Sequence, residues 1–302
     1  MRNSDVGRHT GSHSSSFRRC LAVAGLILAC GLGTSTFAQR LVPDQTRGTE
    51  PSLTLGPGRS LIDARKCFER AAAKGQASAQ VNVAVFYSNG WGTPQNYAAA
   101  LYWLRRAAEQ GNARAHMNLG ILYLNGLGVQ RDYTEALKHF QFAAERGETG
   151  AMVDMGYMTD AGLGVAQDFA AAAAWYRRAA ESGEALAQNN LADMYLRGEG
   201  VEQNDLLAET WFEKAANQGQ TGAQIKLGYL YLTGRGVQKN LETAYAWLLA
   251  AELAGDPRGR EYHAELKAQL TAEQKTRAEQ RAQELQSGAR LQRAATEVAL
   301  VR

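Results

Sequence analysis

The chain has 302 residues, of which 45% are hydrophobic and 21% charged, a composition typical of a folded, soluble protein. The formal net charge is +3, but residues 1–38 carry four arginines and one aspartate, which account for all of it. The rest of the chain has no net positive charge with which to attract nucleic acid. We therefore expect no nucleic-acid partner.

Residues 1–38 have the pattern of an export signal. A polar, basic segment ends at Arg18-Arg19, an apolar run too short for a comfortable membrane span follows, and small residues come next. Ala38, with Thr36 two positions before it, provides a cleavage point. The segment predicts a bacterial protein that is periplasmic or otherwise exported.

Two alternatives for this segment stay open. The letters LILAC loosely resemble a lipobox, which would make Cys30 a lipidated first residue, and an uncleaved leader would act as an anchor. We expect membrane attachment only through one of these two routes. If cleavage follows Ala38, Cys67 is the sole remaining cysteine and no intramolecular disulfide can form.

Residues 39–57 are predicted to be a flexible linker. They contain three of the chain's five prolines among polar residues and glycines. Such a composition favours an extended, flexible segment over regular structure. The folded part of the chain is therefore expected to begin near residue 58.

A period of 36 residues follows the linker. Single glycines recur at this step from Gly75 to Gly255, and paired glycines, alanines and a column of aromatic residues keep the same step. A period of this length is typical of stacked repeats, in which each repeat buries its apolar face against its neighbours.

Each repeat is predicted to contain two helices. In the repeat around residue 130, Gly126 ends the first helix as a left-handed glycine. Asp132 caps the second, and Glu135 lies where a capping box requires it. Small residues in a column that includes Gly156 are expected to let helices approach closely, and the column of Trp103 is expected to fill the space between repeats.

The period fails beyond Gly255. We predict two capping helices over residues 256–287 and a tail over residues 288–302, for which the sequence does not decide between helix and irregular structure. The prediction rests on an apolar face and a second capping box, formed by Tyr262, Leu266 and Leu270 and by Thr271 and Gln274, respectively.

The segments AHMNLGILYLNGLGVQRDYTEALKHFQFAAERG and AQNNLADMYLRGEGVEQNDLLAETWFEKAANQG resemble the Sel-one-like repeat family. The resemblance covers about residues 58–255, as one second helix followed by five full repeats. It implies an all-α fold, a right-handed α/α-solenoid of 36-residue helix-turn-helix repeats with a C-terminal helical cap, related to the tetratricopeptide repeats. Thr93-Pro94 departs from the pattern in the first full repeat.

The sequence contains no motif that predicts catalysis. The paired-glycine loop lacks the third glycine and the preceding strand of a dinucleotide site, so we interpret it as a turn. The histidines have no partner at metal-ligand spacing, and neither GxSxG nor SxxK occurs. We therefore predict no enzymatic activity, no cofactor and no metal site.

The resemblance implies a non-catalytic scaffold for protein–protein interaction, because the family is mostly known for that role. Some exported relatives act in envelope signalling or exopolysaccharide control. One alternative is a cell-wall or β-lactam-interacting enzyme, but this chain lacks the cysteine pairs of the family branch linked to β-lactams. The other is a secreted factor that acts on host cells.

The first helices of the repeats carry a polar face, which is predicted to bind a protein or peptide in a concave groove. Residues spaced 0, 3 and 7 positions apart share a helical face. Asparagines can hold an extended backbone, and tyrosines can anchor a partner. The candidate residues are Asn82, Asn118, Asp154, Asn190 and Lys226 in the first column, Tyr157, Asp193 and Tyr229 in the second, and Asn89, Asn125 and Arg197 in the third.

Overall fold

A computed structural model describes residues 60–301, without the side chains of residues 265 and 290–301. The predicted export signal and linker lie outside these residues. The described part forms α-helices, whose bounds are α1 (Leu61–Ala73), α2 (Ala77–Asn89), α3 (Tyr97–Ala108), α4 (Ala113–Asn125), α5 (Tyr133–Glu145), α6 (Thr149–Ala161), α7 (Phe169–Glu181), α8 (Ala185–Arg197), α9 (Asp205–Asn217), α10 (Thr221–Thr233), α11 (Leu241–Leu253), α12 (Pro257–Gln269) and α13 (Ala272–Val301).

The helices alternate between two kinds. We call α2, α4, α6, α8 and α10 the A helices, since each opens a repeat, and α1, α3, α5, α7, α9 and α11 the B helices. Contacts divide the chain after Arg131 into two units. In the first, α1 packs on α2, α2 on α3 and α3 on α4; in the second, each helix from α5 to α11 packs on the next helix in the chain. This consecutive packing confirms the predicted all-α repeat architecture.

The five predicted caps at the starts of the B helices α3, α5, α7, α9 and α11 are confirmed. In each, a side-chain oxygen accepts a hydrogen bond from the backbone N–H three residues later, at 2.9 or 3.0 Å. The capping residues are Asn96, Asp132, Asp168, Asn204 and Asn240. At α5, the carboxylate of Glu135 pairs with Lys138 at 2.8 Å, so the capping box predicted there is only half formed.

The two glycines of each loop have different structural roles: the first caps a helix and the second packs against the preceding repeat. Gly162 caps the C-terminus of α6 in the left-handed conformation, with φ 67°. Gly164 lies against the start of the preceding B helix, where a Cβ atom on it would come within 2.8 Å of the Tyr133 backbone carbon. The same close approach recurs at Gly92, Gly128, Gly200 and Gly236. The loop is thus a contact between repeats as well as a turn.

The buried aromatic column lies one position after the predicted one. Residues of the Trp103 column are half-buried, except for Trp247, which is 6% exposed. The next column is 0–2% exposed and consists of Leu104, Phe140, Tyr176, Phe212 and Leu248. The small residues of the A helices make room for this column, because a Cβ atom on Gly156 would lie 2.6 Å from the Tyr176 ring.

The half-buried tryptophans of the predicted column also contact cations. The Arg178 guanidinium lies 4.7 Å from the centre of the Trp175 ring, and the Lys214 ammonium lies 4.0 Å from that of Trp211. Such cation–π contacts stabilise aromatic rings at a solvent boundary. Trp103 and Trp211 also pack against residues of a neighbouring repeat, as expected of a column that fills the space between repeats.

Beyond the repeats, α12 buries a different face from the one expected. Leu266 and Leu270 are 2% and 6% exposed, but Tyr262 is 48% exposed and His263 takes the buried position at 8%. At the N-terminal end of α12, the buried position is therefore one residue later than predicted, at His263 instead of Tyr262. Gly259, one turn earlier, permits this packing, because a Cβ atom there would lie 2.7 Å from the Glu252 backbone nitrogen.

The last helix starts as predicted and extends further. The Thr271 N–H donates to Gln274 Oε1 at 2.9 Å, and the Gln274 N–H donates to Thr271 Oγ1 at 3.2 Å, which completes the capping box. Ala282 and Leu285 pack on the core of the last repeat. The helix continues to Val301, so residues 288–301 are helical.

Cys67 is half-buried and packs against the core formed by α1 and α2. The other two cysteines, Cys20 and Cys30, lie outside the described residues. The expectation that cleavage after Ala38 leaves no intramolecular disulfide stays a prediction.

Candidate binding face on the A helices

In the first unit, the predicted asparagines are half-buried or buried. Asn118 is 5% exposed, and Asn125 Nδ2 donates to the Ile121 carbonyl oxygen at 2.9 Å. Asn82 and Asn89 are half-buried. Asn118 and Asn125 therefore have little left with which to hold a partner's backbone.

In the second unit, two predicted binding residues are bonded to each other. Lys226 on α10 forms a salt bridge with Asp193 on α8, and its ammonium group lies 5.5 Å from the Phe212 ring centre. The sequence predicted both residues on one face but did not predict the salt bridge between them. This salt bridge links α8 to α10 in the structure without a partner.

The remaining candidates of this unit differ in exposure. Tyr229 is 49% exposed, Asp154 is 1% exposed, and Tyr157 and Asn190 are half-buried. Arg197 is exposed and pairs with Glu199 at 3.1 Å. Tyr229 and Arg197 are therefore the most accessible anchors, and Asp154 belongs to the interior behind them.

Tyr176 packs behind this face and was not predicted from the sequence. It lies on a B helix, 2% exposed, and its ring passes the A helix α6 at Gly156. Burial raises the pKa of its hydroxyl far above its usual value, with the negative charge of Asp160 adding to the effect. The sequence does distinguish this residue, because the equivalent position holds only leucine or phenylalanine in the other repeats.

Asp160 is the second residue of this face that was not predicted. Burial raises the pKa of its carboxyl above the usual 3.8; Arg197 opposes this shift, and the negative charges of Glu199 and Asp193 add to it. The corresponding position holds leucine in three of the other four repeats. The carboxylates of Asp160, Asp193 and Glu199 therefore share a small region with Arg197.

The described histidines, cysteine and carboxylates do not gather into a metal site. Within residues 60–301 there is no group of three or more such side chains placed to hold an ion. In the same part of the chain, no helix combines the length and the apolar character that crossing a bilayer requires.

Comparison with known proteins finds repeats in the same register as the structure. A family model described as Sel1 repeat matches residues 55–76, 77–112, 113–148, 149–184, 185–220 and 221–256. Five of these matches each contain one A helix and the B helix after it, and the first contains α1. No match is found among curated proteins.

Several solved structures are similar. A Sel1 repeat protein from Oxalobacter formigenes shares 36% identity at a TM-score of 0.63, over 69% of this chain and 61% of that one. The chain thus spans less than two thirds of that protein. A putative Sel1 repeat protein from Klebsiella pneumoniae shares 24% identity at a TM-score of 0.46, over 67% and 99% of the two chains. A protective antigen of uropathogenic Escherichia coli, c5321, shares 22% at 0.45, over 95% and 88%.

Proposed function

Because the chain belongs to the Sel1 repeat family, we propose that it is an exported, non-catalytic scaffold that binds a protein or peptide on its A helices. Repeats of this kind present an extended surface built from equivalent positions of successive helices. The export pattern of residues 1–38 supports a partner in the cell envelope. The family membership supports a role in protein–protein interaction, and we propose that the partner is a protein of the envelope.

The observation that carries the proposal is the pair of accessible anchors in the second unit. Tyr229 is 49% exposed, and Arg197 is exposed on the neighbouring A helix. Tyrosine and arginine are the residue types that most often dominate binding energy when a partner covers them. The Lys226–Asp193 salt bridge holds the two helices that carry these anchors.

The test is capture of partners from envelope extracts by the tagged protein. We expect Tyr229→Ala combined with Arg197→Ala to weaken binding of the main partner by about 30-fold or more, because each truncation of such an anchor commonly costs ~1–2 kcal/mol. Both side chains are exposed, so the variant should remain folded. Asp154 is not replaced in this test, because it is buried and its replacement could reduce recovery of the partner by unfolding the protein.

The matched control is Tyr262→Ala, which removes a tyrosine of similar exposure, 48%, from α12. This variant should recover the same partners as the wild type. If the double variant does so as well, the A helices of the second unit are not the binding face.

A further inference from the structure

The first two B helices carry matching rows of residues on their outer sides. Four exposed residues of α1 and its C-cap follow one another at steps of four positions and therefore lie along one side of the helix. They are Ile62, Lys66, Arg70 and Lys74. The equivalent side of α3, 36 positions later, carries Tyr102 and Arg106. We call the surface formed by these residues and the exposed Arg105 the α1–α3 face.

Packing within the first unit brings the two rows side by side. Gln80 on α2 bridges the ends of both B helices, because its Nε2 donates to the Ala72 carbonyl oxygen at 3.3 Å and its Oε1 accepts from Gln110 Nε2 at 2.8 Å. Trp103 of α3 packs against the hydrophobic cluster that contains Phe68 of α1. The two rows therefore form one continuous surface.

Among the residues described, the cations of the α1–α3 face lack carboxylate partners. Within residues 60–301, no salt bridge reaches these five side chains, which are Lys66, Arg70, Lys74, Arg105 and Arg106. Glu69 pairs with Arg65 instead. Asp63 and Glu109 are the remaining carboxylates of the two helices and their caps, so the face keeps an excess of positive charge.

Two large apolar side chains are exposed within this positive surface. Ile62 is 45% exposed and Tyr102 is 53% exposed. The Arg106 guanidinium donates to the Tyr102 hydroxyl at 3.1 Å and lies 5.7 Å from the centre of its ring. Helices that lie on a bilayer combine apolar and aromatic side chains, which enter the headgroup region, with lysines and arginines, which meet anionic headgroups. The α1–α3 face has this combination.

We propose that the α1–α3 face lies against a membrane surface that carries anionic phospholipid headgroups. An acidic protein segment would match the charge, but the exposed Ile62 and Tyr102 favour a surface that also accepts apolar groups. Residues 39–59 join α1 to the predicted leader, so a retained leader or a lipid on Cys30 would hold this face close to the bilayer.

This route of membrane attachment was not predicted from the sequence, because the two rows are 36 residues apart and meet only in the packed repeats. It is independent of the proposed function, which concerns the A helices of the second unit. A protein held by its α1–α3 face would leave those helices available to a partner.

The test is cosedimentation of the full-length protein with vesicles that contain phosphatidylglycerol, compared with vesicles of phosphatidylcholine alone. We expect the wild type to prefer the anionic vesicles, and added salt should weaken this preference because it screens the attraction. The leader is identical in every variant, so differences between variants report the α1–α3 face itself.

Two variants separate the charges from the apolar groups. Lys66→Gln, Arg70→Gln and Lys74→Gln together should weaken binding to the anionic vesicles about 100-fold, since each cation near such a surface strengthens binding about fivefold. Ile62→Ala with Tyr102→Ala should weaken it about tenfold, because less apolar surface leaves water. All five side chains are exposed, so both variants should unfold at the wild-type temperature.

The matched control removes the same number of positive charges from exposed positions of the second unit, through Lys239→Gln, Lys267→Gln and Arg281→Gln. It should bind the anionic vesicles within about threefold of the wild type, because charges beyond a Debye length from the bilayer are screened. Equal losses in the control and in the α1 variant would overturn the inference.

Equal binding of the wild type to the two kinds of vesicle would overturn it as well. So would binding of a polyglutamate peptide in preference to the anionic vesicles, which would assign the face to an acidic protein segment. None of these results changes the capture of partners through Tyr229 and Arg197, whose failure would refute the proposed function and leave the α1–α3 face standing.

Discussion

The second glycine of each loop shows how one residue can serve two repeats. The sequence predicts Gly164 as part of a turn, because glycine is the residue that most readily adopts a positive φ. Its contact with Tyr133, 31 positions earlier, depends on how one repeat packs on another, and the spacing of glycines does not contain that information. The same limit explains why the bond between Asp193 and Lys226 was not predicted.

Replacing Gly164 by alanine tests this contact against a glycine of similar backbone conformation. A Cβ atom on Gly183, which has φ 91°, would have nothing within 4 Å, whereas one on Gly164, which has φ 73°, would meet the Tyr133 backbone. We expect Gly183→Ala to cost ~1–2 kcal/mol for the left-handed conformation. Gly164→Ala should cost about 1–3 kcal/mol more through overpacking.

The measurement is the free energy of unfolding in urea, followed by circular dichroism. Both variants share the backbone penalty, so the difference between them isolates the contact between repeats. Equal losses would show that the second glycine serves only the turn.

Among elements, the A and B helices were predictable and the final helices only partly so. Caps such as Asp168 are local, because the side-chain oxygen accepts from a backbone N–H only three residues later, and such a pair can be recognised in the sequence. The face of α12 depends on whether Tyr262 or His263 packs under α11, and both fit an apolar stripe. The buried position goes to His263, whose ring lies 5.2 Å from that of Tyr245.

The junction of α11 and α12 is expected to respond to acid. Hydrogen bonds from His263 and Arg260 hold the pKa of the Glu252 carboxyl below its usual 4.5. Because the folded pKa is lower than the unfolded one, the carboxylate stabilises the fold above about pH 4.5, and this contribution is lost as pH falls through the folded pKa.

Glu252→Gln should therefore flatten the loss of stability between about pH 5 and pH 3, while lowering stability at pH 7. Urea unfolding at several pH values measures both effects. Glu261→Gln, on the exposed side of α12, serves as the control and should follow the wild-type curve. A Glu252→Gln curve parallel to that of the wild type would contradict the assignment.

At the scale of the whole molecule, the sequence predicted the repeat number and register, which the family match confirms. It placed a polar face on the A helices but did not predict the burial of Asp154, which depends on the residues packed around it. Tyr176 was missed because a B-helix residue was not expected to reach that face. A comparison of columns across repeats would have identified it.

The export pattern makes a prediction about the intact protein. Cleavage after Ala38 leaves Gln39 as the first residue and Cys67 as the sole cysteine. Protein purified from its native host should then show that N-terminus by mass spectrometry, and one thiol should react with an alkylating reagent after denaturation. A retained Met1, or a lipid on Cys30, would contradict this cleavage.

The fixed offset between contacting residues also limits how the chain can change in length. Gly164 meets a residue 31 positions earlier, and the tyrosine hydroxyls of Tyr123 and Tyr195 each accept a bond from an arginine 18 positions earlier. Loss or duplication of one whole 36-residue segment keeps such partners in register, whereas insertion or deletion of one residue between two partners shifts one relative to the other. The chain can therefore change in length without loss of these contacts only in steps of one repeat.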